Sequence, residues 1–366
     1  MTAVSRLAPA PGCNCSACPF FTANPAAVEP ICSGCNTDCS YCGCARAEVD
    51  APRHGCGSCP IRCGSRVDIA AWMVDVGATL TFDDVTMSQV AWPTRLPRFV
   101  PVVDAAGAVG ELDAPLRWAA YGIGLRRVLS LSSGRILPGF RGVTARQAMG
   151  LRPEQLAVLV GYGTDPLVEA YWTRRRSEGL VEAIASQQWD LVLAPNYSVY
   201  GNQPRAEHLL NFRRNLLVAA ELAQVGVPAV PNLYWFRLED LERYASWLSE
   251  AVPVAVAVNC QTFRSASDWD AMLLPGLLYL AMVLDELALD TRVVLTGISR
   301  AERLRPVLAA FRDRLHVISQ NPVQYARHGA VMTEEGRHDI HARAPDAFAA
   351  SVRYYAGLLG PERGRA

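Results

Sequence analysis

From residue 99 onward the chain alternates short apolar runs with longer amphipathic segments. The runs are nearly continuous and rich in β-branched residues, a composition typical of strands that are buried on both faces. Seven runs predict strands, at residues 99–104, 156–162, 191–197, 228–235, 254–262, 293–299 and 315–321. A shorter run at residues 127–131 could supply an eighth strand.

Helical patterns separate these runs. The clearest has Pro204 in its first turn, carries leucines at helical spacing and stops at Gly226, as helices commonly do. Further helices are predicted at about 166–185, 238–250, 271–289 and 300–313. Strands and helices that alternate at this spacing predict a parallel barrel of the (β/α)8 type over residues 99–330, with a doubly wound open sheet as the alternative. Residues 67–98 are then a connector, and residues 331–366 are a C-terminal tail with a helix.

A cysteine-rich segment precedes the predicted barrel, with eleven of the twelve cysteines inside residues 13–63. Thiolates two to four residues apart can converge on one metal, and the neighbouring glycines allow the tight turns that this requires. We therefore predict that residues 1–66 form a small metal-binding module. The candidate ligands are Cys13, Cys15, Cys18, Cys32, Cys35, Cys39, Cys42, Cys44, Cys56, Cys59 and Cys63.

Both iron–sulfur clusters and zinc fit these spacings. Proline follows Cys18 and Cys59, as in ferredoxin-type ligation, and we expect iron–sulfur clusters of the 4Fe–4S type. The alternative is zinc, because Cys32-x2-Cys35 has zinc-ribbon spacing. A disulfide-stapled knot would require an oxidising compartment, which the sequence does not indicate.

Composition narrows the possible chemistry. All 35 basic residues are arginine, and 35 acidic residues balance them. Without lysine the chain cannot form a Schiff base, anchor pyridoxal phosphate or supply the lysine of a P-loop. The first residues lack the apolar run of a signal peptide, and the apolar stretch 272–284 is too short to span a bilayer. We expect a cytoplasmic protein that does not contact a membrane.

Polar residues recur where the predicted strands end, and barrels build their sites at those ends. Asp104 directly ends a predicted strand, so it is the candidate catalytic acid or base, with an ion pair to an arginine as its competing role. Amide and aromatic side chains suit a flat polar ligand such as a nucleobase or a sugar. The candidate ligand-binding residues are Asn196, Tyr197, Asn232, Trp235, Asn259, Gln261, Thr296 and Asn321.

Each of these asparagines has a structural alternative, because asparagine also caps helices and stabilises turns. The arginine runs 174–176 and 213–214 lie on predicted helices, where we expect solvated faces. We expect His208 and His316 to be structural, and Cys260 to pack as a small apolar side chain in its strand.

Residues 191–323 carry a resemblance to a known family. The motifs are Ala-Pro-Asn-Tyr-Ser-Val-Tyr at 194–200, Asn-Phe-Arg at 211–213 with Asn215, and Val-Pro-Asn-Leu-Tyr-Trp at 230–235, followed by Thr-Gly at 296–297. This stretch is similar to an uncharacterised domain-of-unknown-function family of phage and mobile-element proteins. The resemblance implies one continuous α/β unit and a nucleic-acid-related setting, and it brings no established activity.

A second, local resemblance lies in the cysteine module. Cys35-x3-Cys39-x2-Cys42, with Tyr41 before the last cysteine, resembles the cluster loop of radical S-adenosylmethionine enzymes. In those enzymes three cysteines leave one iron open, so the resemblance implies S-adenosylmethionine as a further cofactor. Two features differ, because no apolar strand run precedes the loop and no Gly-Gly-Glu-Pro-like segment follows it.

The leading hypothesis is an iron–sulfur barrel enzyme that acts on a nucleotide, a nucleoside or a nucleic-acid base. One alternative is a radical S-adenosylmethionine enzyme that uses Cys35, Cys39 and Cys42. The other is a zinc-dependent nucleic-acid-binding protein without catalysis.

Overall fold

The computed structural model describes residues 25–26, 74–199, 205–261, 263, 265–298 and 300–360. The eleven candidate cysteine ligands and the radical-type loop lie outside the described residues. The described part is an α/β protein built on an eight-stranded, all-parallel, nearly closed barrel. Its strands are β1 (Phe99–Val103), β2 (Ala120–Gly124), β3 (Leu156–Val160), β4 (Leu191–Leu193), β5 (Ala229–Val230), β6 (Ala255–Asn259), β7 (Arg292–Thr296) and β8 (Leu315–Ser319).

The strands follow chain order around the barrel. Except for β5 and β6, each strand pairs in parallel with the next one in the sequence, and β1 also pairs with β8. Between β5 and β6 the ring is joined by a single bridge, in which Leu233 N donates to Ala257 O and Ala257 N donates to Pro231 O, each at 2.8 Å. This arrangement is consistent with the predicted (β/α)8 barrel and differs from a doubly wound open sheet.

Helices surround the barrel. They are α1 (Val109–Asp113), α2 (Ala145–Met149), α3 (Asp165–Arg174), α4 (Leu180–Ser186), α5 (Arg205–Gln224), α6 (Asp240–Ala251), α7 (Ala266–Glu286), α8 (Ala301–Phe311), α9 (Asn321–Ala326) and α10 (Ala344–Leu359). A hairpin of β9 (Ala330–Thr333) and β10 (Gly336–Asp339) precedes α10. Among the described helices, α7 is long and apolar enough to cross a membrane by length and composition, and 44% of its most apolar window is buried inside the protein.

Two predicted elements differ from the structure. The second strand is β2, seven residues before the predicted run 127–131, in which Leu129 forms only an antiparallel bridge with Ile136. The sequence of β2, Ala-Tyr-Gly-Ile-Gly, contains two glycines, which are depleted in strands, so the pattern favoured the more apolar run that follows. The predicted helix 166–185 is two helices, because Gly179 adopts a left-handed conformation (φ +60°) between them.

Small and branched aliphatic side chains fill the barrel interior. Alternate strand positions supply Val100, Val102, Ala120, Val158, Val160, Leu191, Leu193, Val230, Ala255, Ala257, Val294 and Ile318. Trp92 and Leu96, from the segment before β1, complete this cluster. The imidazole of His316 in β8 lies beside Trp92, with 4.8 Å between the ring centroids, and its Nδ1 is 3.4 Å from Pro97 O. The expected structural role of His316 agrees with this burial.

The buried His316 should make stability depend on pH. Burial lowers its pKa to about 4, whereas an unfolded histidine titrates near ~6.5. Between these values the unfolded state binds the additional proton, so stability falls as pH falls through this window. We expect His316→Gln to remove about 3 kcal/mol of the stability loss between ~pH 7 and ~pH 4, measured by urea unfolding. The exposed His328→Gln is the control, and an unchanged pH dependence in the His316 variant would contradict the expectation.

The connector packs against the outer helices. Arg213 of α5 is 1% exposed, and its Nε donates to Val76 O at 2.6 Å. Both terminal nitrogens of Arg213 bind the carboxylate of Asp84 at 2.6 Å, and this pairing holds the pKa of Asp84 below its usual range. Trp247 of α6 donates its Nε1 to Val85 O at 2.8 Å. The predicted solvated face at residues 213–214 is therefore wrong. The connector covers Arg213, and Arg214 is buried in its ion pair with Glu169.

Candidate functional site

A cavity of about 720 Å³ lies at the carboxyl-terminal ends of the barrel strands. Its floor is apolar, because Val102, Val160 and Ile318 of the barrel interior reach it. Its polar walls come from residues at or after the ends of seven of the eight strands, all except β5. Five of the predicted site residues lie together here, namely Asp104, Asn196, Asn259, Gln261 and Thr296.

Asn259 is the last residue of β6, and its side chain continues the inward-facing positions of that strand. Its Oδ1 accepts hydrogen bonds from Gln261 N at 3.0 Å and from Thr296 Oγ1 at 3.3 Å. Its Nδ2 forms no hydrogen bond with any residue that the structure describes. The amide is thus fixed through its oxygen and can offer its N–H groups to a ligand in the cavity.

Asn196 lies in the loop after β4, and α5 holds this loop through two asparagines. Tyr197 N donates to Asn215 Oδ1 at 2.7 Å, and Asn215 Nδ2 donates to Tyr197 O at 3.2 Å. Asn211 Nδ2 donates to Ser198 O at 2.8 Å. Asn196 itself is 6% exposed, and its Oδ1 has no hydrogen-bond partner among the described residues. Because an unpaired buried acceptor is costly, its place in the cavity wall favours a ligand that donates a hydrogen bond.

Asp104 follows β1 and is 7% exposed in the cavity wall. Its Oδ2 forms an ion pair with Arg327, which lies at the end of α9 with a side chain that is 59% exposed. Asp104 therefore forms an ion pair with an arginine, the competing role, and also lines the cavity. An exposed guanidinium can move into water at small cost, so the pair leaves the carboxylate accessible to a ligand.

The two other predicted asparagines do not line the cavity. Asn232 is 1% exposed, accepts a hydrogen bond from the Tyr162 hydroxyl at 2.5 Å and donates its Nδ2 to Ala194 O at 2.7 Å. Asn321 begins α9 and donates its Nδ2 to the Tyr355 hydroxyl at 3.3 Å. Both side chains connect secondary-structure elements, so both have the structural role that was the alternative to ligand binding.

The predicted stacking residues are also buried away from the cavity. Trp235 is 2% exposed and donates its Nε1 to Met272 O at 3.3 Å, and its indole packs so closely that a Cβ on Gly276 would lie 2.4 Å from it. The ring of Tyr197 lies against the guanidinium of Arg214, 3.8 Å from its centroid. Neither ring is placed to stack on a ligand at the barrel mouth.

Two glycines allow the mouth loops to approach one another. Gly297 follows β7 with φ +75°, and a Cβ there would lie 2.3 Å from Cγ of Gln261. Gly161 follows β3, and a Cβ there would lie 2.3 Å from Leu193 O. A side chain at either position would displace the loop that carries Gln261 or the strand end that precedes Asn196.

Sequence reasoning missed part of the cavity wall. Arg126 and Arg127 line it from the turn after β2, but the displaced strand prediction made Arg127 the first residue of a strand. Tyr162, Thr164 and Ser198 line it as well. Burial raises the pKa of the Tyr162 hydroxyl, which therefore stays neutral while it donates to the side chain of Asn232. These residues follow β2, β3 and β4, so a correct position for β2 would have indicated the arginines.

Cys260, next to Asn259, is buried, as expected for a small core side chain. Burial raises the pKa of its thiol to about 12, so it remains protonated and is not a nucleophile. Within the described residues no group of three or more His, Cys, Asp or Glu side chains is arranged to hold a metal ion. No protein-family model matches the chain, and no curated protein matches it.

Proposed function

We propose that this protein is an iron–sulfur-containing (β/α)8-barrel enzyme that acts on a nucleotide, a nucleoside or a nucleic-acid base. The observation that carries the proposal is the polar cavity at the strand ends, where the amides of Asn196 and Asn259 have uncommitted groups in the same cavity wall as the Asp104 carboxylate. A nucleobase presents donors and acceptors along one edge, which amide side chains can pair with. A cavity of about 720 Å³ is within the range of small-molecule sites.

Each polar group has a distinct role in this proposal. Asn196 accepts a hydrogen bond from the ligand through Oδ1, and Asn259 donates one through Nδ2. Asp104 takes or returns a proton on a ligand N–H or O–H group, while Arg327 balances its charge. The predicted stacking rings, Tyr197 and Trp235, lie outside the cavity lining. The apolar floor formed by Val102, Val160 and Ile318 therefore takes their place and contacts the face of the base.

Ligand binding tests this proposal directly. A panel of nucleobases, nucleosides and nucleotides is measured by calorimetry on the full chain, and at least one compound should bind. Asn259→Ala should weaken that binding roughly tenfold, because a buried hydrogen bond is lost. Asn321→Ala is the matched control, since Asn321 lies outside the cavity lining and should leave the affinity unchanged. Failure of every compound to bind would reject the proposal.

The eleven cysteines in residues 13–63 would hold the iron–sulfur clusters, and the spacing of these cysteines is the support for this assignment. Such clusters would allow the enzyme to transfer electrons. Protein purified without oxygen should contain iron and acid-labile sulfide in equal amounts, about four or about eight of each per chain. Serine at Cys35, Cys39 and Cys42 should lower both, whereas Cys260→Ser should change neither. Zinc without sulfide would contradict the assignment.

A further inference from the structure

The wall of the cavity is electrostatically uneven. Arg126 and Arg127 line it from the 3-10 turn after β2, and both side chains are exposed. The structure gives neither guanidinium a hydrogen bond or an ion pair with any residue in its described part. Most other arginines near the outer helices are paired with carboxylates, as Arg214 is with Glu169. Two unpaired guanidinium groups at the rim of a cavity favour an anionic ligand group.

The neighbouring strand end adds backbone donors. Helix α3, ten residues long, begins at Asp165, and its amino-terminal loop contributes Gly163 and Thr164 to the cavity wall. The N–H groups of these two residues form no hydrogen bond within the described part of the chain. Unpaired N–H groups at the start of a helix, together with the helix dipole, favour a phosphate or a carboxylate.

There is also space for such a group between the arginines and the barrel axis. Gly124 ends β2 and lines the cavity, and a Cβ added there would meet no atom within 4 Å. The missing side chain leaves room directly before Arg126 and Arg127.

Two carboxylates share the cavity wall and must be weighed against the arginines. Asp104 is neutralised by Arg327. Asp165, at the start of α3, already takes part in an interaction of its own. With Arg327 set against Asp104, the two arginines Arg126 and Arg127 outnumber the remaining carboxylate, Asp165, so the formal charge of the cavity wall is positive.

The opposite side of the cavity is neutral. In the strand order of this barrel, β6 lies four strands from β2, so Asn259 and Gln261 face the arginines across the mouth. The unpaired Oδ1 of Asn196 lies between these sides, at the end of β4. A molecule that spans the mouth thus meets cations at one end and amides at the other.

We propose that Arg126, Arg127 and the N–H groups of Gly163 and Thr164 form a phosphate subsite, and that the ligand is a nucleoside 5′-monophosphate. This inference rests on the proposed function, which names a nucleotide, a nucleoside or a base, and it selects the phosphorylated member. The base lies toward Asn259 and Gln261, and the phosphate lies toward β2 and β3.

The test compares four common ribonucleosides with their 5′-monophosphates, together with inorganic phosphate, by calorimetry on the full chain. At least one monophosphate should bind roughly 10- to 100-fold more tightly than its nucleoside, because charged hydrogen bonds are added. Replacing both arginines, Arg126→Gln with Arg127→Gln, should remove this advantage without changing the affinity for the nucleoside. Both side chains are exposed, so the double variant should fold normally.

The matched control removes two exposed arginines at the other end of the barrel. Arg95 and Arg117 precede β1 and β2, and Arg95→Gln with Arg117→Gln should keep the advantage of the monophosphate. Equal affinity of the wild-type chain for monophosphate and nucleoside would overturn the subsite but leave the proposed function standing. Arginine-dependent binding of inorganic phosphate, with no nucleoside or monophosphate bound, would support the subsite and reject the proposed function. If no probe binds, the subsite is overturned as well.

Discussion

Replacing Asp104 by asparagine should abolish turnover while leaving the fold intact. The substitution keeps the shape of the side chain and removes its ability to accept a proton, which contributes about 10²- to 10⁴-fold to rate in acid–base catalysis. The fold should tolerate the change because the partner of Asp104, Arg327, is largely exposed and remains solvated when the carboxylate is gone. The measurement is the rate of conversion of the compound that the binding panel identifies.

A matched carboxylate is available outside the cavity. Asp83 lies exposed in the connector, so Asp83→Asn should leave the rate unchanged. Binding should distinguish catalysis from positioning, because Asp104→Asn should still bind the ligand with an affinity close to that of the wild-type chain. If Asp104→Asn converts the bound compound at the wild-type rate, Asp104 is not the acid or base.

Replacing Arg214 by leucine should lower the free energy of unfolding by about 3–5 kcal/mol, measured by urea denaturation. Arg214 is buried in α5, and its two terminal nitrogens bind the two oxygens of Glu169, each at 2.8 Å. Its guanidinium also lies over the rings of Trp172 and Tyr197. Leucine would leave the half-buried carboxylate of Glu169 without its main partner, and that desolvated charge is the source of the cost.

Arg174 provides the control for this substitution. It forms an ion pair with Glu178, four residues later in the turn that follows α3, at 3.1 Å, and both side chains are about a third exposed. Arg174→Leu should therefore change stability by no more than about 0.5 kcal/mol. If the two leucine variants lose similar stability, the buried pair does not contribute in the way that its geometry indicates.

The substitution of Arg214 should also affect the cavity, because Arg214 helps to position the loop that carries Asn196. Its NH1 donates to Asn211 Oδ1 at 2.9 Å, and Asn211 in turn holds Ser198 O in the loop that presents Asn196. Asn211 and Asn215, two of the motif residues singled out in the sequence, thus act on the backbone of this loop. Their contacts explain a structural requirement for those positions and do not themselves indicate a ligand.

The strands were predictable where both faces are buried. Such strands consist almost entirely of apolar residues, as Phe99–Val103 and Leu156–Val160 show, and the pattern locates them without knowledge of their partners. Ala120–Gly124 was missed because its inward positions need small residues where Val102 projects toward Gly122. That requirement comes from the neighbouring strand and is invisible in the local pattern.

The sequence predicted which residues lie near the ends of strands, but it did not predict which of them face the cavity. Asn259 and Asn232 both follow apolar runs, yet Asn259 faces the cavity and Asn232 joins the ends of β3 and β4. The direction of each side chain depends on the stagger of the strands, which a single sequence does not reveal. Trp235 is directed into the core because Gly276 of α7 leaves a space that the indole fills, a contact between distant parts of the chain.

The connector has a consequence for how the chain can be divided. Trp92 and Leu96 belong to the interior of the barrel, and Asp84 neutralises Arg213 inside α5. A fragment that starts at Phe99 would therefore lack part of its own core and would contain a buried, unpaired guanidinium. The smallest fragment that keeps these contacts begins before Val76. A recombination event or an expression plasmid that separates the barrel from the cysteines must therefore place the boundary upstream of that residue.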